Sequence, residues 1–311
     1  SWSGVYDATR FRDSCPQFGI SRENNWIKNY TESEDCLYLN VWRPADEKTN
    51  RTVMVFIHGG GYQSGTGFFD AQFFASQGDV VMVSLNYRLG ALGFLHAGQD
   101  FIGNWGLHDQ ILALHWVREN IAQFGGNPHD VTIFGQSAGS WSVGSLFLSP
   151  LTKGLFKRAT MQSGSPTAAT DSISLALQKF KSFAHHAGCE LHSNEDTVKC
   201  LKSKTFQQLN EATLNGYWQM QPIFGDELLP IAPVEAVQSG KFNRGIDLLF
   251  GLVRDEGALL VNGVVEHRLK TGQNVSLHTI KEDIEWLMKQ YGISNGAEVA
   301  DFYMPRLASN P

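Results

Sequence analysis

Ser137 lies in the decapeptide VTIFGQSAGS, residues 131–140, between two glycines and directly after an apolar run. The first four residues are rich in β-branched side chains and predict a strand, whereas the small residues from Ala138 onward predict a helix. Gly135, Ser137 and Gly139 fit the pattern G-x-S-x-G, in which a serine occupies a tight strand-to-helix turn. Such a turn lifts the hydroxyl out of the sheet, which suits a nucleophile. The pattern alone also fits an ordinary strand-to-helix turn, so other residues must decide.

A second glycine-rich stretch, HGGG at residues 58–61, follows the apolar run TVMVFI. Acyl transfer from an ester needs a nucleophile, a base, an orienting acid and N–H donors for the developing oxyanion. Consecutive glycines let backbone N–H groups point into a site with no side chain in the way. We therefore expect oxyanion donors at Gly60 and Gly61, and a third at Ala138, directly after the serine. A merely flexible turn is the alternative, but a strand–HGGG followed by a strand–GxSxG disfavours it.

Apolar runs and helical stretches alternate along the chain. Strands are predicted within residues 36–44, 52–61, 79–88, 131–134, 158–166 and 245–257, and a helix over residues 106–126. Strands that are continuous apolar runs, separated by helices, indicate a parallel α/β sheet. We therefore predict one α/β domain over residues 1–311. Residues 167–220 are more polar and helical, and we interpret them as an insertion or cap rather than a separate domain.

Composition and charge limit the classes of function. The 311 residues are 42% hydrophobic and 18% charged, which suffices for a large globular core. The net charge of −6 disfavours a general nucleic-acid binder, because such proteins usually present a basic face. No stretch has the length and hydrophobicity of a membrane span, and the sequence does not predict the oligomeric state.

Cysteines and glycosylation sequons bear on the cellular compartment. The four cysteines fall into two pairs that are close in sequence, Cys15 with Cys36 and Cys189 with Cys200. Neither pair has metal-ligand spacing, so no metal site is expected. The three sequons begin at Asn29, Asn50 and Asn274. Sequons together with an even cysteine count favour the secretory pathway or an extracellular location, and a cytosolic protein with free thiols is the alternative.

Several stretches resemble the type B carboxylesterase or cholinesterase family. They are SEDCLYLNVW, VFIHGGGY, NYRLGALGFL, GNWGLHDQ, WVRENIAQFGGNPHDVTIFGQSAG and QSGSP. The resemblance implies an α/β-hydrolase fold, with a mostly parallel sheet and helices on both faces, here truncated at both ends. It also implies a serine hydrolase that cleaves small carboxylic esters through an acyl-enzyme without a cofactor. Secretion and the disulfides Cys15–Cys36 and Cys189–Cys200 are further implications of this resemblance.

The acid and the base of the reaction are expected from the same resemblance. The family's acid is the glutamate of a DEG-like motif, here Asp255-Glu256-Gly257, so Glu256 is expected as the acid and Asp255 is its competitor. The base should be a histidine that follows the acid. Only His267 and His278 follow, both in polar stretches outside the family's glycine-histidine context. We expect an incomplete, inactive chain without its catalytic histidine; the alternative is a shortened hydrolase with His278 as base.

The sequence around the expected site favours a general carboxylesterase with an apolar acyl pocket. Trp26 stands ten residues before Cys36, where the cholinesterases carry a tryptophan that stacks on the choline cation. However, Gln136 stands where cholinesterases carry a glutamate, and Leu259 stands where they carry an aromatic residue. The expected pocket residues are Trp26, Trp218, Met220, Phe224 and Leu259.

Two other functions stay open at this point. The first is a cholinesterase or a juvenile-hormone-type esterase, since the latter resemble this chain in the GQSAG form of the motif. The second belongs to another class, the adhesion proteins of the family that have lost the nucleophile. The presence of Ser137, Gly60, Gly61 and Glu256 argues against adhesion.

Overall fold

A single sheet organises the computed structural model, which describes residues 4–19, 31–98, 101–216, 219–256, 268–290 and 294–308. Its six strands are β1 (Leu39–Trp42), β2 (Arg51–Ile57), β3 (Val81–Leu85), β4 (Gly126–Gln136), β5 (Arg158–Gln162) and β6 (Asp247–Gly251). They lie in the order β1-β3-β2-β4-β5-β6. β1 is antiparallel to β3, and all other neighbours are parallel. The prediction of a mostly parallel sheet is confirmed.

The central strands have the burial that their sequences predict. In β2, Val53 and Ile57 are fully buried and alternate with partly buried residues. β3 is buried at all five positions, as expected for a continuous apolar run in a parallel sheet. At the carboxyl ends, Ile57 of β2 pairs with Gly135 of β4, and Gln136 pairs with Gln162 of β5. The loops that follow these strands therefore lie at one edge of the sheet, where open α/β sheets bind their ligands.

Helices flank the sheet. The first part of the chain contains α1 (Gln72–Gly78), α2 (Gly90–Phe94), α3 (Trp105–Asn120) and α4 (Ala138–Leu148). The helix predicted over residues 106–126 is confirmed as α3, which continues as a short 3₁₀ helix to Phe124. Helix α4 begins directly after Ser137, as the sequence predicts.

The stretch predicted as a helical insertion is helical. It contains α5 (Ile173–His186), α6 (Asn194–Lys202) and α7 (Phe206–Gly216), and α8 (Pro233–Gln238) follows. Both disulfides implied by the resemblance are present, Cys15–Cys36 and Cys189–Cys200. The second links the residues after α5 to α6, so this segment is closed by a covalent bond as well as by packing.

The chain divides into two compact units, Ser1–Leu252 and Val253–Pro311. The second contains α9 (Leu277–Gln290) and α10 (Gly296–Ala308). Within it, the Arg268 guanidinium donates from Nε to Asp283 at 2.6 Å. No helix in the described ranges is both long enough and apolar enough to span a bilayer. The predicted single domain over the whole chain stays a prediction.

Candidate active site

Ser137 occupies the turn between β4, which ends at Gln136, and α4, which begins at Ala138. Its φ and ψ angles are 56° and −122°. A positive φ is unfavourable for a residue with a Cβ, and such strain is kept at positions that the surrounding structure fixes. Here the Ser137 amide donates to the carbonyl of Gln162, and its carbonyl accepts from the Trp141 amide, both at 2.9 Å. The serine is therefore held from β5 and from α4.

The two glycines of G-x-S-x-G are required because other backbone atoms lie very close to them. A Cβ on Gly139 would lie 2.0 Å from the carbonyl oxygen of Ile57, at the end of β2. A Cβ on Gly135 would lie 2.5 Å from the carbonyl carbon of Gly139 and 2.7 Å from the same Ile57 oxygen. The first turn of α4 thus packs directly on β2 and β4, and only glycine fits at both positions.

The HGGG loop lies against the serine. A Cβ on Gly59 would be 3.2 Å from the Ser137 Cβ and 2.6 Å from the Gln136 carbonyl oxygen. Gly60 and Gly61 have φ angles of 108° and 64°, which favour glycine. The structure therefore brings the HGGG loop after β2 and the Ser137 turn after β4 together, as the sequence predicts.

The HGGG loop and the Ser137 turn contain unpaired hydrogen-bonding groups. In the described part of the chain, the amides of Gly60, Gly61 and Ala138 donate to no acceptor, and the Ser137 hydroxyl has no partner. Ala138 is fully buried. Buried backbone amides without a partner are rare in folded proteins, so an unpaired one needs an explanation. These N–H groups can therefore donate hydrogen bonds to an oxygen atom of a bound ligand.

The ring of His58 is packed inside the protein at the start of the glycine loop. His58 is buried, its ring stacks on Tyr87 at 4.2 Å, and its Nδ1 lies 2.8 Å from the Gly59 carbonyl oxygen. The Tyr87 hydroxyl donates to the His58 carbonyl at 2.8 Å. Burial lowers the pKa of His58 to about 4, so the ring is neutral at pH 7. The ring therefore fixes the start of the glycine loop and carries no charge there.

Glu256 and Asp255 belong to the second unit, in the turn after β6. Both are exposed, and the Glu256 carboxylate accepts from the Val253 amide at 3.1 Å. The Asp255 carboxylate is 2.9 Å from the Arg254 guanidinium. His278, on α9, has a side chain that is 80% exposed and lies 3.5 Å from a Glu282 oxygen. Such an exposed helical position agrees with the polar stretch that the sequence indicates.

The predicted pocket residues are only partly within the described ranges. Met220 is buried and Phe224 is half-buried against the same core. The neighbouring Gln219 donates from Nε2 to the Gly61 carbonyl at 2.7 Å, which brings this segment to the glycine loop. Gln136 is exposed beside the serine. The predicted residues Trp26, Trp218, Leu259, Asn29 and His267 lie outside the described residues.

Sequence reasoning missed three residues of this site. A Cβ on Gly59 would lie 3.2 Å from the Ser137 Cβ, and only the place of Gly59 in HGGG could have signalled this contact. A Cβ on Gly164 would lie 2.8 Å from the Ser137 carbonyl oxygen. Gln219 has no local motif at all. Among the described residues, no group of three or more His, Cys, Asp or Glu could hold a metal ion.

Comparison with known proteins gives concordant matches. The sequence model described as "Carboxylesterase family" matches residues 1–309. A mouse (Mus musculus) protein named "Cholinesterase" is 39% identical over 97% of this chain and 53% of its own length. A zebrafish (Danio rerio) protein named "Acetylcholinesterase" is 40% identical over 83% of this chain and 44% of its own length. The chain thus spans about half the length of these curated relatives.

Proposed function

This chain belongs to the carboxylesterase family, and we propose that Ser137 is the nucleophile with which the whole protein cleaves carboxylic esters. Its sheet and flanking helices form the α/β-hydrolase fold. One observation carries the proposal: the HGGG loop packs against the strained turn of Ser137, and the Ser137 hydroxyl and the amides of Gly60, Gly61 and Ala138 are unpaired in the described part of the chain. This is the arrangement that acyl transfer requires.

The reaction proceeds in two halves on this geometry. The Ser137 oxygen attacks the ester carbonyl while a base removes its proton, and the resulting oxyanion accepts hydrogen bonds from the amides of Gly60, Gly61 and Ala138. The base returns the proton to the departing alcohol, which leaves an acyl-serine. Water then attacks the acyl-serine by the same route and releases the carboxylic acid. Each oxyanion donor of this kind contributes about 10²–10³ to kcat.

Replacement of the serine tests the proposal. In the whole protein, Ser137→Ala should abolish covalent labelling by an organophosphate and lower ester turnover by about 10⁴-fold or more. Ser145→Ala is the matched control, because the Ser145 hydroxyl on the same helix is buried without a partner. This control should be labelled like the wild type. Undiminished labelling of the Ser137→Ala protein would sink the assignment.

The acid is proposed to be Glu256, and neither His267 nor His278 is proposed as the base. The exposed position of His278 on α9 supports the second statement. Glu256→Gln should slow labelling strongly, whereas Asp255→Asn and His278→Ala should not. A chain without the base would keep only about 10³–10⁴-fold catalysis over water. Esterase-like turnover of these 311 residues that is lost in His278→Ala would contradict the proposal.

The proposed substrates are uncharged aliphatic or aryl esters rather than choline esters. Gln136, exposed beside the nucleophile, offers a neutral amide where an acidic residue would attract a cation. The test compares, for the whole protein, kcat/KM for acetylcholine with that for its carbon isostere, in which tert-butyl replaces trimethylammonium. The isostere should be preferred, and Gln136→Glu should move the ratio toward acetylcholine by about fivefold. A wild-type preference for acetylcholine would refute this choice of substrate.

We also propose a secreted or lumenal glycoprotein. The two disulfides and the exposed positions of Asn50 and Asn274 support this location. Protein from a secreting host should lose mass on treatment with a glycosidase specific for N-linked sugars. Accumulation of unglycosylated, reduced protein in the cytosol of its own cells would contradict it.

A further inference from the structure

Gln219 contacts the glycine loop although 158 positions separate it from Gly61 in sequence. Its Nε2 donates a hydrogen bond of 2.7 Å to the Gly61 carbonyl oxygen. A Cβ on Gly61 would lie 2.9 Å from that nitrogen, so a larger residue at position 61 would push the amide away. The contact therefore depends on both partners, a glycine in the loop and a side-chain amide opposite it.

A buried ion pair holds the backbone of Gln219. The Lys179 ammonium, on α5, donates to the Gln219 carbonyl at 2.8 Å and to Asp171 Oδ2 at 2.6 Å. The side chains of Lys179 and Asp171 are only 10% and 4% exposed. The Asp171 amide also donates to the Pro222 carbonyl, at 2.8 Å. Because separating a buried pair leaves an uncompensated charge, this cluster strongly favours one geometry.

The glycine loop needs such an anchor. Glycine explores more backbone conformations than any other residue, and both Gly60 and Gly61 have positive φ angles. The loop's own turn bonds, from the Gln63 and Ser64 amides, both end on the Gly60 carbonyl at 3.0 Å. They leave the Gly61 carbonyl to Gln219. An oxyanion hole is effective because its donors are fixed before the reaction begins.

We propose that Gln219 is a positioning residue for the oxyanion donors. Its amide fixes the Gly61 peptide, and the Asp171–Lys179 pair fixes Gln219 in turn. The helical segment beyond β5 thereby sets the geometry of a loop that follows β2. This inference rests on the proposed function, in which the Gly61 amide binds the oxyanion.

Kinetics test the positioning role. Gln219→Glu keeps the shape but replaces the donor with an acceptor, and Gln219→Leu removes the donor. In the whole protein, with its catalytic base, both should lower kcat for a p-nitrophenyl ester about tenfold while KM changes less than about twofold, because the donors act in the transition state. The control Gln208→Glu, an exposed glutamine on α7, should keep both constants. A change in KM alone, or unchanged kinetics in both variants, would overturn the inference.

Amide hydrogen exchange tests, without any need for catalysis, whether Gln219 anchors the glycine loop. Loss of the Gln219 contact should speed exchange in the peptide that contains Gly61, Gln63 and Ser64 about three- to tenfold, since one hydrogen bond is removed. Gln208→Glu should leave that peptide unchanged. Wild-type exchange in both Gln219 variants would disprove the anchoring even in an active esterase. If wild-type Ser137 resists organophosphate labelling, the proposed function fails, while exchange still decides whether Gln219 holds the loop.

Discussion

His58 shows at the scale of one residue how a site side chain can serve packing. Its pKa is lowered from 6.5 to about 4 by burial, so the folded protein keeps it neutral where the unfolded chain takes up a proton. A lowered folded-state pKa contributes stability above the unfolded pKa and loses it as the pH falls. The window therefore runs from about pH 6.5 down to about pH 4.

We predict that the titration of His58 lowers the free energy of unfolding by about 3 kcal/mol as the pH falls from about 6.5 to about 4. The measurement is urea unfolding at a series of pH values, with His58→Gln compared to the wild type. The variant should be less stable at pH 7 but should lose less stability on acidification. His115→Gln, at an exposed position of α3, is the control. Equal pH slopes for wild type and His58→Gln would show that the buried ring does not titrate as described.

The sequence predicts those features of the site that are formed by neighbouring residues in the chain. The strand, turn and helix around Ser137 are encoded by ten consecutive residues, and the sequence predicts them. Gln219 and Gly164 could not be predicted, because their contacts with Gly61 and with the Ser137 carbonyl join distant parts of the chain. A single sequence carries no signal for such contacts. The roles of the predicted residues stay predictions until they are measured.

The junction of α4 with β2 is the element-scale feature that positions the site. Helix α4 can place its first turn under Ser137 only because Gly139 lets the Ile57 carbonyl approach. That oxygen belongs to the backbone of a buried strand, so no side-chain rotation can relieve a clash. Overpacking of this kind costs about 3 kcal/mol, which exceeds the gain of about 1 kcal/mol from the better helix propensity of alanine.

We therefore predict that Gly139→Ala destabilises the protein by about 2 kcal/mol. Gly251→Ala is the matched control, since a Cβ on Gly251 has no atom within 4 Å. It should change the free energy of unfolding by less than about 0.5 kcal/mol. Thermal or urea unfolding of both variants gives the comparison. Equal stabilities would mean that the helix can shift away from β2 at little cost.

The sequence predicts the types of the strands and helices correctly, but it predicts most of the strands to be longer than the structure has them. The predicted strand at residues 36–44 is observed only over Leu39–Trp42, and at its carboxyl end Pro44 has no backbone N–H with which to continue the ladder. The antiparallel direction of β1 is invisible in its sequence, since direction depends on the partner, β3. The strand order likewise depends on pairing between segments far apart in the chain.

At the scale of the whole molecule, burial is uneven across the sheet. β3 is buried at every position, whereas β6 at the edge is exposed at every position. Leu249 and Phe250 of β6 are 67% and 73% exposed. Exposed apolar side chains on an edge strand are typical of surfaces that associate with other polypeptide. Composition predicts a large core, but it cannot tell which strand is left at the edge.

The two disulfides are the covalent constraints on this architecture, and their sequence separations of 21 and 11 residues set their expected contributions. In the chain-entropy model each bond stabilises the protein by about 3 kcal/mol, and the longer loop contributes about 0.5 kcal/mol more. We predict that replacing Cys189 and Cys200 by alanine lowers the free energy of unfolding by about 3 kcal/mol, and that replacing Cys15 and Cys36 costs slightly more. Urea unfolding measures both. Reductant should destabilise the wild type and barely affect the protein without cysteines. Free thiols in native protein from a secreting host would contradict the prediction, because bonds that do not form cannot stabilise.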